Sequence, residues 1–559
     1  MGPIAPKDPV KQREFFYIMY EKQISAAPAA EGKGVCFLYM DCGRMINLAR
    51  MIGNVQDDEM LKMLSNTENF RKLVYGVGIT MMTEDNSSAD FVLQMYGKTD
   101  PYNSGTTMRQ TLSGDGIEYL IPLSEVKWSD DDNVPGQIRF EFPKSGITAS
   151  VSVRFYLNDG FKAPVFEPFD KVDTSSPEYK ALIEQSLMSM GNYSRLKKVI
   201  DKAKAGEPVS YALIGGSITQ GAGAVPIYNN SYAYKSYMGF KERFDKGNNS
   251  VYCKAGVGGT PSELGIVRYN RDVLRNGENK PDIVIIEFAV NDAGDETNGE
   301  CYEGLMRTVL EQNNEAAVIL LFSVFVDDYN LEERLVPIGQ HYNVPMVSIK
   351  SAVTKQFYLS KENGRVIAKN LFFYDQYHPT NLGHTIMADS LINLFEKVDK
   401  AEYCEDYKLP EKPFLSSDFE NISLIDRKDN DFGAVIECGD FFETDKALQG
   451  CEMNTDPFTT PQFPYNWQHL EGNNAFKMTV DCRILMIVTK DDASPEAGQA
   501  DVYVDGQFVK TVNPREIGWV HCNSQVAFRG KEKASHTIEV KMHEGDENKK
   551  FTILGFGIA

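Results

Sequence analysis

Five groups spaced through the middle of this 559-residue chain are of the types that acyl transfer requires. Ser217 follows the run Tyr211-Ala-Leu-Ile-Gly-Gly, so a hydroxyl stands at the end of an apolar strand, between small neighbours that let a carbonyl approach the backbone. Serine is a poor nucleophile near neutrality and needs a base. The segment Tyr374-Asp-Gln-Tyr-His offers one: Asp375 and His378 lie three residues apart in a turn, where a carboxylate can fix the imidazole tautomer and aim the other ring nitrogen at a nucleophile. Two further blocks supply donors for a developing oxyanion. Lys254-Ala-Gly-Val-Gly-Gly-Thr can present the backbone N–H of Gly259, and Phe288-Ala-Val-Asn-Asp places the Asn291 amide at a strand tip. Singly, each block is weak, because a Gly-Gly-Ser turn after a strand is most often an ordinary loop. A GxSxG elbow is absent. Dinucleotide binding at Gly221-Ala-Gly223 fails for want of a third glycine at the right offset and an acidic residue ending the next strand. No CxxC pair or close Cys/His cluster is present, so a structural zinc site is not expected, and acyl transfer by these groups needs neither a metal nor an organic cofactor.

Other polar and aromatic residues have plainer readings. His384, inside a helix, is expected to pack or hydrogen-bond locally. Asp292 reads as a cap, and Glu287, within the apolar strand DIVIIEFAV, as part of a buried network beside the site. Arg268 and Arg271, on the helix after the Gly259 loop, either salt-bridge to acidic neighbours or reach the crevice. Trp467, in the proline-rich aromatic run that begins at Phe458, either anchors a core or overhangs the crevice. Trp467 and Arg268 are carried as candidate substrate-binding residues.

The surrounding periodicity shows what must position these groups. Between about Tyr211 and Lys400, YALIGG, VYCKAGV, DIVIIEFAV, AVILLFSVF and PMVSI are nearly continuous apolar strands. They alternate with the helical stretches SELGIVRYNRDVL, CYEGLMRTVLEQNN, LEERLVPIGQHY and NLGHTIMADSLINLFEKVD. This is the pattern of a parallel sheet covered on both faces, with function at the carboxyl ends of its strands. LIEQSLMSMGNYSRLKKVIDKAKAG, just before it, reads as helix. From Cys36 to Tyr156 short alternating strands predict a mostly β domain with some helix near Glu59 to Val74, and from Phe414 onward β character returns, with a hairpin turn at Asp505-Gly506. The expected division is a β domain over 1–175, an α/β domain over 176–410 and a second β domain over 411–559.

Taken together and in order, GGS with Ser217, VGG with Gly259, VND with Asn291 and DxxHPTNLGH with Asp375 and His378 resemble the SGNH (GDSL-type) hydrolases. The likeness spans about a third of the chain. It implies a flavodoxin-like three-layer α/β/α hydrolase domain, flanked here by N- and C-terminal β-sandwich domains, the first jelly-roll-like. It also implies a serine ester hydrolase with Ser217 as nucleophile, His378 as general base and Asp375 as its orienting partner. The N–H groups of Ser217 and Gly259 and the Asn291 side chain would form the oxyanion hole. The GDS of the family name is Gly215-Gly216-Ser217 here, a variant found in carbohydrate esterases of this kind.

Composition bounds the substrate. Asp plus Glu outnumber Lys plus Arg by 79 to 58, a net charge of −21 that disfavours nucleic acid and anionic membranes as partners. No apolar run is long enough to span a bilayer. The N-terminal stretch has no export-signal core, and nine scattered cysteines suit reduced thiols, so a cytoplasmic location is expected. The leading expectation is removal of O-acetyl groups from xylan- or mannan-derived oligosaccharides. The alternatives are a cytoplasmic lysophospholipase or thioesterase for longer acyl groups and a non-catalytic carbohydrate-binding scaffold. A homo-oligomer is compatible with the sequence, which leaves the polysaccharide and the acyl position open.

Overall fold

The computed structural model describes residues 12–166, 169–312, 315–447 and 462–559. The chain divides into two compact units. One takes the residues up to Lys171 together with Ala368–Thr380; the other takes Val172–Ile367 and Asn381–Ala559.

In the first unit, alternation of apolar and polar residues gives two antiparallel sheets. The four-stranded sheet runs Phe15–Ser25, Thr148–Leu157, Val74–Thr83 and Tyr119–Pro122 in spatial order. The other runs Ala27–Pro28, Gly34–Tyr39, Asp132–Phe142, Ala89–Gly97 and Thr107–Leu112. Their inward residues, among them Val77, Ile79, Val153, Phe91 and Phe140, share one core with the helices Arg44–Met51, Asp58–Met63 and Thr67–Leu73. Asp57 and Asn66 cap the second and third helices by accepting from backbone N–H groups of their first turns. The helical expectation near Glu59 to Val74 thus becomes two short helices.

The second unit is built on a six-stranded sheet. Its spatial order is Leu187–Ser189, Met346–Ser348, Ala317–Phe322, Ile283–Glu287, Ser210–Gly215 and Val251–Gly256. The last five, numbered along the chain, run 2-1-3-4-5 across the sheet and pair in parallel, which is the flavodoxin-like order. Both faces are buried, as the continuous apolar runs require. Ala212, Ile214, Val284, Ile286, Val318 and Leu320 pack against helices Ser262–Asp272 and Glu300–Leu310. The Tyr211 ring, on the opposite face, meets Phe240 and Phe395 of helices Tyr232–Phe244 and Asn381–Lys400 at 5.7 and 6.1 Å.

One element differs from the sequence expectation. The stretch read as helical before the sheet is helix Pro177–Glu184, strand Leu187–Ser189 and helix Ser194–Lys204. The strand pairs antiparallel with Met346–Ser348 at the sheet edge. Three residues are too few to show a period of their own, so tertiary pairing decides their conformation.

The C-terminal strands join in one eight-stranded antiparallel sheet around the long strands Phe476–Asp491 and His521–Met542. Both sides of Phe476–Asp491 are covered. Phe476, Met478, Val480, Cys482, Leu485 and Ile487 face the sheet's own core, whereas Ile484, Met486 and Val488 enter the core that contains Val267 and Leu264 of the parallel-sheet layer. The change from even to odd positions falls at a register shift between Cys482 and Ile484, where an irregularity turns the strand over. No disulfide joins the described cysteines, and no helix among the described residues is long and apolar enough to cross a membrane.

Trp467 is 1% exposed, with its ring 5.2 Å from Phe476 and 6.0 Å from Phe556. It belongs to the short strand Trp467–His469 and to the C-terminal core. The expectation of a substrate-binding Trp467 is therefore corrected: its neighbours are apolar and its surface is spent on packing. The run's first residues, Phe458 to Pro461, lie outside the described residues. Trp467→Ala should cost about 3–5 kcal/mol through the cavity it leaves, measured by urea denaturation. The milder Trp467→Phe should leave KM for an oligosaccharide ester within twofold of the wild-type value, and a large rise would restore a substrate role.

Candidate active site

The first three parallel strands deliver Ser217, Gly259 and Asn291. Ser210–Gly215 is the central one, with Val251–Gly256 on one side and Ile283–Glu287 on the other, so the strand order reverses beside it. At such a switch point the loops after neighbouring strands diverge and leave a crevice. Ser217 begins the short helix Ser217–Gln220, and its carbonyl accepts from Gly221 and Ala222 N–H at 3.0 and 2.9 Å.

Gly216 leaves the Asn291 amide its place. A Cβ at this position would lie 2.1 Å from Asn291 Oδ1, because the Asn291 amide occupies the space that a side chain before the serine would take. The family's GDS is thus replaced by GGS in a setting where position 216 and Asn291 compete for one volume. Gly259 has φ +72°, a conformation that glycine adopts without strain. The loop before it is closed by Thr260 Oγ1 donating to Val257 O at 2.9 Å. The Gly259 carbonyl is 2.9 Å from His521 Nε2, a residue that nothing in the sequence singles out.

Beneath the serine, Glu287 is fully buried and accepts from Thr219 Oγ1 at 2.9 Å, and Thr219 Oγ1 is also 2.7 Å from Tyr232 Oη. Burial pushes the Glu287 carboxyl up to about 7, while the hydrogen bond from Thr219 pulls the other way. His384 is buried, accepting at Nδ1 from Tyr232 N–H and bonding through Nε2 to Ala222 O, both at 3.1 Å, so its role is local hydrogen bonding. Asp292 caps, although not its own segment: its carboxylate accepts from Ser262 N–H and Oγ at 2.7 and 2.9 Å, at the start of helix Ser262–Asp272.

Arg268 does not reach substrate. It is 0% exposed and donates to Gly215 O at 3.0 Å, to Ala255 O at 2.8 Å and to Asp272 at 3.1 Å. The candidate substrate-binding role is corrected to that of a strut joining two strand ends. Helical spacing showed which face Arg268 shares with Asp272, but not that two strand carbonyls would meet it.

The Asp375–His378 turn belongs to the other unit. His378 Nδ1 and Asp375 Oδ2 are 2.8 Å apart, and Asp375 Oδ1 accepts from the N–H groups of Tyr377 and His378 at 2.7 and 2.9 Å. Burial works against the carboxylate, yet His378 and the two N–H groups hold it well below the ordinary range. Residues of the N-terminal strands and helices clasp the turn. Lys22 Nζ donates to Tyr374 O and lies 3.1 Å from the centre of the Tyr374 ring. Asn47 Nδ2 donates to Gln376 Oε1, and Gln376 Nε2 to Cys42 O at 3.1 Å. Burial lowers the Lys22 ammonium to about 7, with Asp375 opposing the shift. Lys22 follows Glu21, whose φ of +45° marks an irregularity in its strand, so simple alternation does not place it.

Among the described residues one group has the composition of a metal site: Glu263, Asp295 and Cys301 bring ligand atoms within 4.8 Å of one another. The carboxylates are already spent on the N–H groups of Glu296, Thr297 and Gly299. Burial, reinforced by Asp295, pushes the Glu263 carboxyl up to about 10, so it is a protonated hydrogen-bonding group near neutral pH.

Glu287 makes the fold sensitive to pH. The folded state keeps its proton to about pH 7, whereas the ordinary value is 4.5. Its contribution is complete below the ordinary value and is lost as pH rises through the folded value. Glu287→Gln, which stays neutral, should flatten part of the decline in Tm between about pH 4.5 and 7, measured by thermal denaturation across that range. Parallel curves for variant and wild type would contradict a buried, protonated Glu287.

Residues 213–386 match the GDSL-like lipase/acylhydrolase family, and this stretch contains Ser217, Gly259, Asn291, Asp375 and His378. No curated protein sequence matches the chain. Among solved structures, the chain is similar to a two-domain esterase active on acetylated mannans, at 28% identity and a TM-score of 0.57, over 67% of this chain and 97% of that one. A structure of such an esterase co-crystallised with mannopentaose gives 28% identity, a TM-score of 0.56 and the same coverage. The family match and the 2-1-3-4-5 sheet that carries it agree, and the protein contains a GDSL-like hydrolase domain of the SGNH type and is a carboxylic ester hydrolase.

Proposed function

We propose that this protein removes O-acetyl groups from plant-type oligosaccharides, mannan-derived ones first and xylan-derived ones second. The observation that carries the reading is the placement of Ser217, Gly259 and Asn291 at the switch point of a chain that resembles an esterase active on acetylated mannans over nearly all of that esterase's length. A net charge of −21 accords with a neutral sugar ester and not with an anionic headgroup. In this reading the antiparallel sheets that precede and follow the parallel layer along the chain, two in the first unit and one eight-stranded sheet at the C-terminus, shape the substrate's surroundings.

The proposed chemistry assigns each residue one task. His378, oriented by Asp375, takes the Ser217 proton as Oγ attacks the acetyl carbon. The tetrahedral oxyanion accepts from the N–H groups of Ser217 and Gly259 and from the Asn291 amide. His378 then protonates the sugar oxygen as its bond to the acetyl carbon breaks, and the sugar leaves as the alcohol. Water attacks the acetyl-enzyme in the same way and releases acetate.

Acetylated manno- and xylo-oligosaccharides and the p-nitrophenyl esters of acetate and octanoate, each followed by initial rates, separate the alternatives. Acetyl should exceed octanoyl, and acetylated manno-oligosaccharides should give the highest kcat/KM. A preference for octanoyl would instead favour a lysophospholipase or thioesterase, and no turnover a binding scaffold. Ser217→Ala should abolish turnover, and Asn291→Ala should lower kcat by about 10²–10³-fold. A Ser217→Ala variant with the wild-type rate would refute the assignment.

A further inference from the structure

A second His–Asp pair, remote in sequence from Asp375 and His378, stands behind the Gly259 loop. His521 begins the strand His521–Met542 and is 5% exposed; Asp491 ends the strand Phe476–Asp491 and is 1% exposed. His521 Nδ1 is 2.9 Å from Asp491 Oδ2, and His521 Nε2 is 2.9 Å from the Gly259 carbonyl oxygen. Both partners of the ring are acceptors by type, while a neutral imidazole carries one N–H. The carbonyl can only accept, so Nε2 bears a proton. The contact on the other side needs a second proton, held by Nδ1 or by the carboxyl. Burial raises the Asp491 carboxyl and His521 opposes that rise, which suits a pair that shares the second proton.

The bend just before that strand presents Trp519 to the α carbon of Gly259. A Cβ at position 259 would lie 2.6 Å from Trp519 Cη2 and 3.2 Å from His521 Nε2. Gly259 is thus held from two directions, by a hydrogen bond on its carbonyl and by an indole against its Cα. A glycine at φ +72° has little intrinsic preference for that conformation over others. An oxyanion donor, in contrast, contributes only if its N–H is aimed before the charge develops.

We propose that His521, set by Asp491, is a positioning residue that holds Gly259 with its N–H aimed at the oxyanion, so that the C-terminal sheet completes the catalytic apparatus. This rests on the reading of Gly259 as an oxyanion donor. The effect falls on the transition state and not on ground-state binding, because the charge on the acyl oxygen appears only as the tetrahedral species forms.

The test compares His521→Gln, His521→Ala and Asp491→Asn with wild type in the full-length protein. The readouts are kcat and KM for p-nitrophenyl acetate, and the inhibition constant of a small alkylboronic acid, whose tetrahedral adduct on serine mimics the transition state. His521→Ala should lower kcat about 10–100-fold, less than outright loss of a donor, with KM within threefold. Boronate affinity should fall by a similar factor. Glutamine, which can still donate an N–H to the carbonyl, should recover at least fivefold of the lost rate; His521→Leu, which fills the space without a donor, replaces alanine if alanine fails to fold. Asp491→Asn should show a smaller loss of the same kind. Wild-type kcat and boronate affinity in folded His521→Ala or His521→Leu would overturn the proposal, as would losses confined to KM or to Tm. Ser217→Ala, run alongside, separates the two levels. If it is inactive while the His521 variants are unimpaired, only the positioning role falls; if it is active, the reading of the site falls and this proposal with it.

Discussion

Two main-chain oxygens at the ends of adjacent parallel strands, Gly215 O and Ala255 O, are both held by the buried guanidinium of Arg268. The fork of Arg268 suits this task because its donors diverge in one plane, which an ammonium cannot imitate. Burying such a cation would cost several kcal/mol if left alone, and here Asp272 supplies the counter-charge while Arg271 adds a second partner to the same carboxylate. Ser217 lies two residues beyond one anchored carbonyl and Gly259 four residues beyond the other. Ser217 and the Gly259 loop therefore leave the sheet from ends tied to a common strut.

The helix that carries Arg268 has a second duty. Val267, one residue earlier, enters the core shared with Ile484, Met486 and Val488 of the C-terminal sheet. Strand Phe551–Ile558 comes close enough to this helix that a Cβ at Gly557 would lie 2.6 Å from Val267 Cγ2. The C-terminal sheet is thus built into the interior of the hydrolase unit and is not an appendage on a linker. The bulge near Cys482 makes this possible, since it lets one strand bury successive halves of its length with opposite parity.

Much of this was legible in the sequence. The parallel strands announced themselves through apolar runs that only doubly covered strands can carry, and the Ser, Gly, Asn and Asp-His blocks sit in the order that the family implies. What remained hidden was tertiary. Leu187–Ser189 is too short to show a period. Trp467 and Arg268 stayed open between packing and substrate binding because a large ring and a cation are ambiguous until their neighbours are known, and both are buried. The pairing of His521 with Asp491 and with Gly259 O spans 30 and 262 residues and leaves no local mark. Nor does any signal near Asp375 reveal that its turn packs with strands more than 300 residues earlier.

That last feature bears on how the chain is made. Ala368–Thr380 completes a unit whose other residues end at Lys171. At a synthesis rate of about 5–20 residues per second, roughly 10–40 s separate the emergence of Lys171 from that of the missing piece. Throughout that interval the N-terminal sheets lack the Tyr374 side chain that packs against their core, and Lys22 lacks the carbonyl and the ring it will clasp. The Asp-His turn is delivered last to a framework that has waited for it. A chain terminated before this turn accordingly carries Ser217 without Asp375 and His378, which emerge only after almost the whole parallel-sheet layer has left the ribosome.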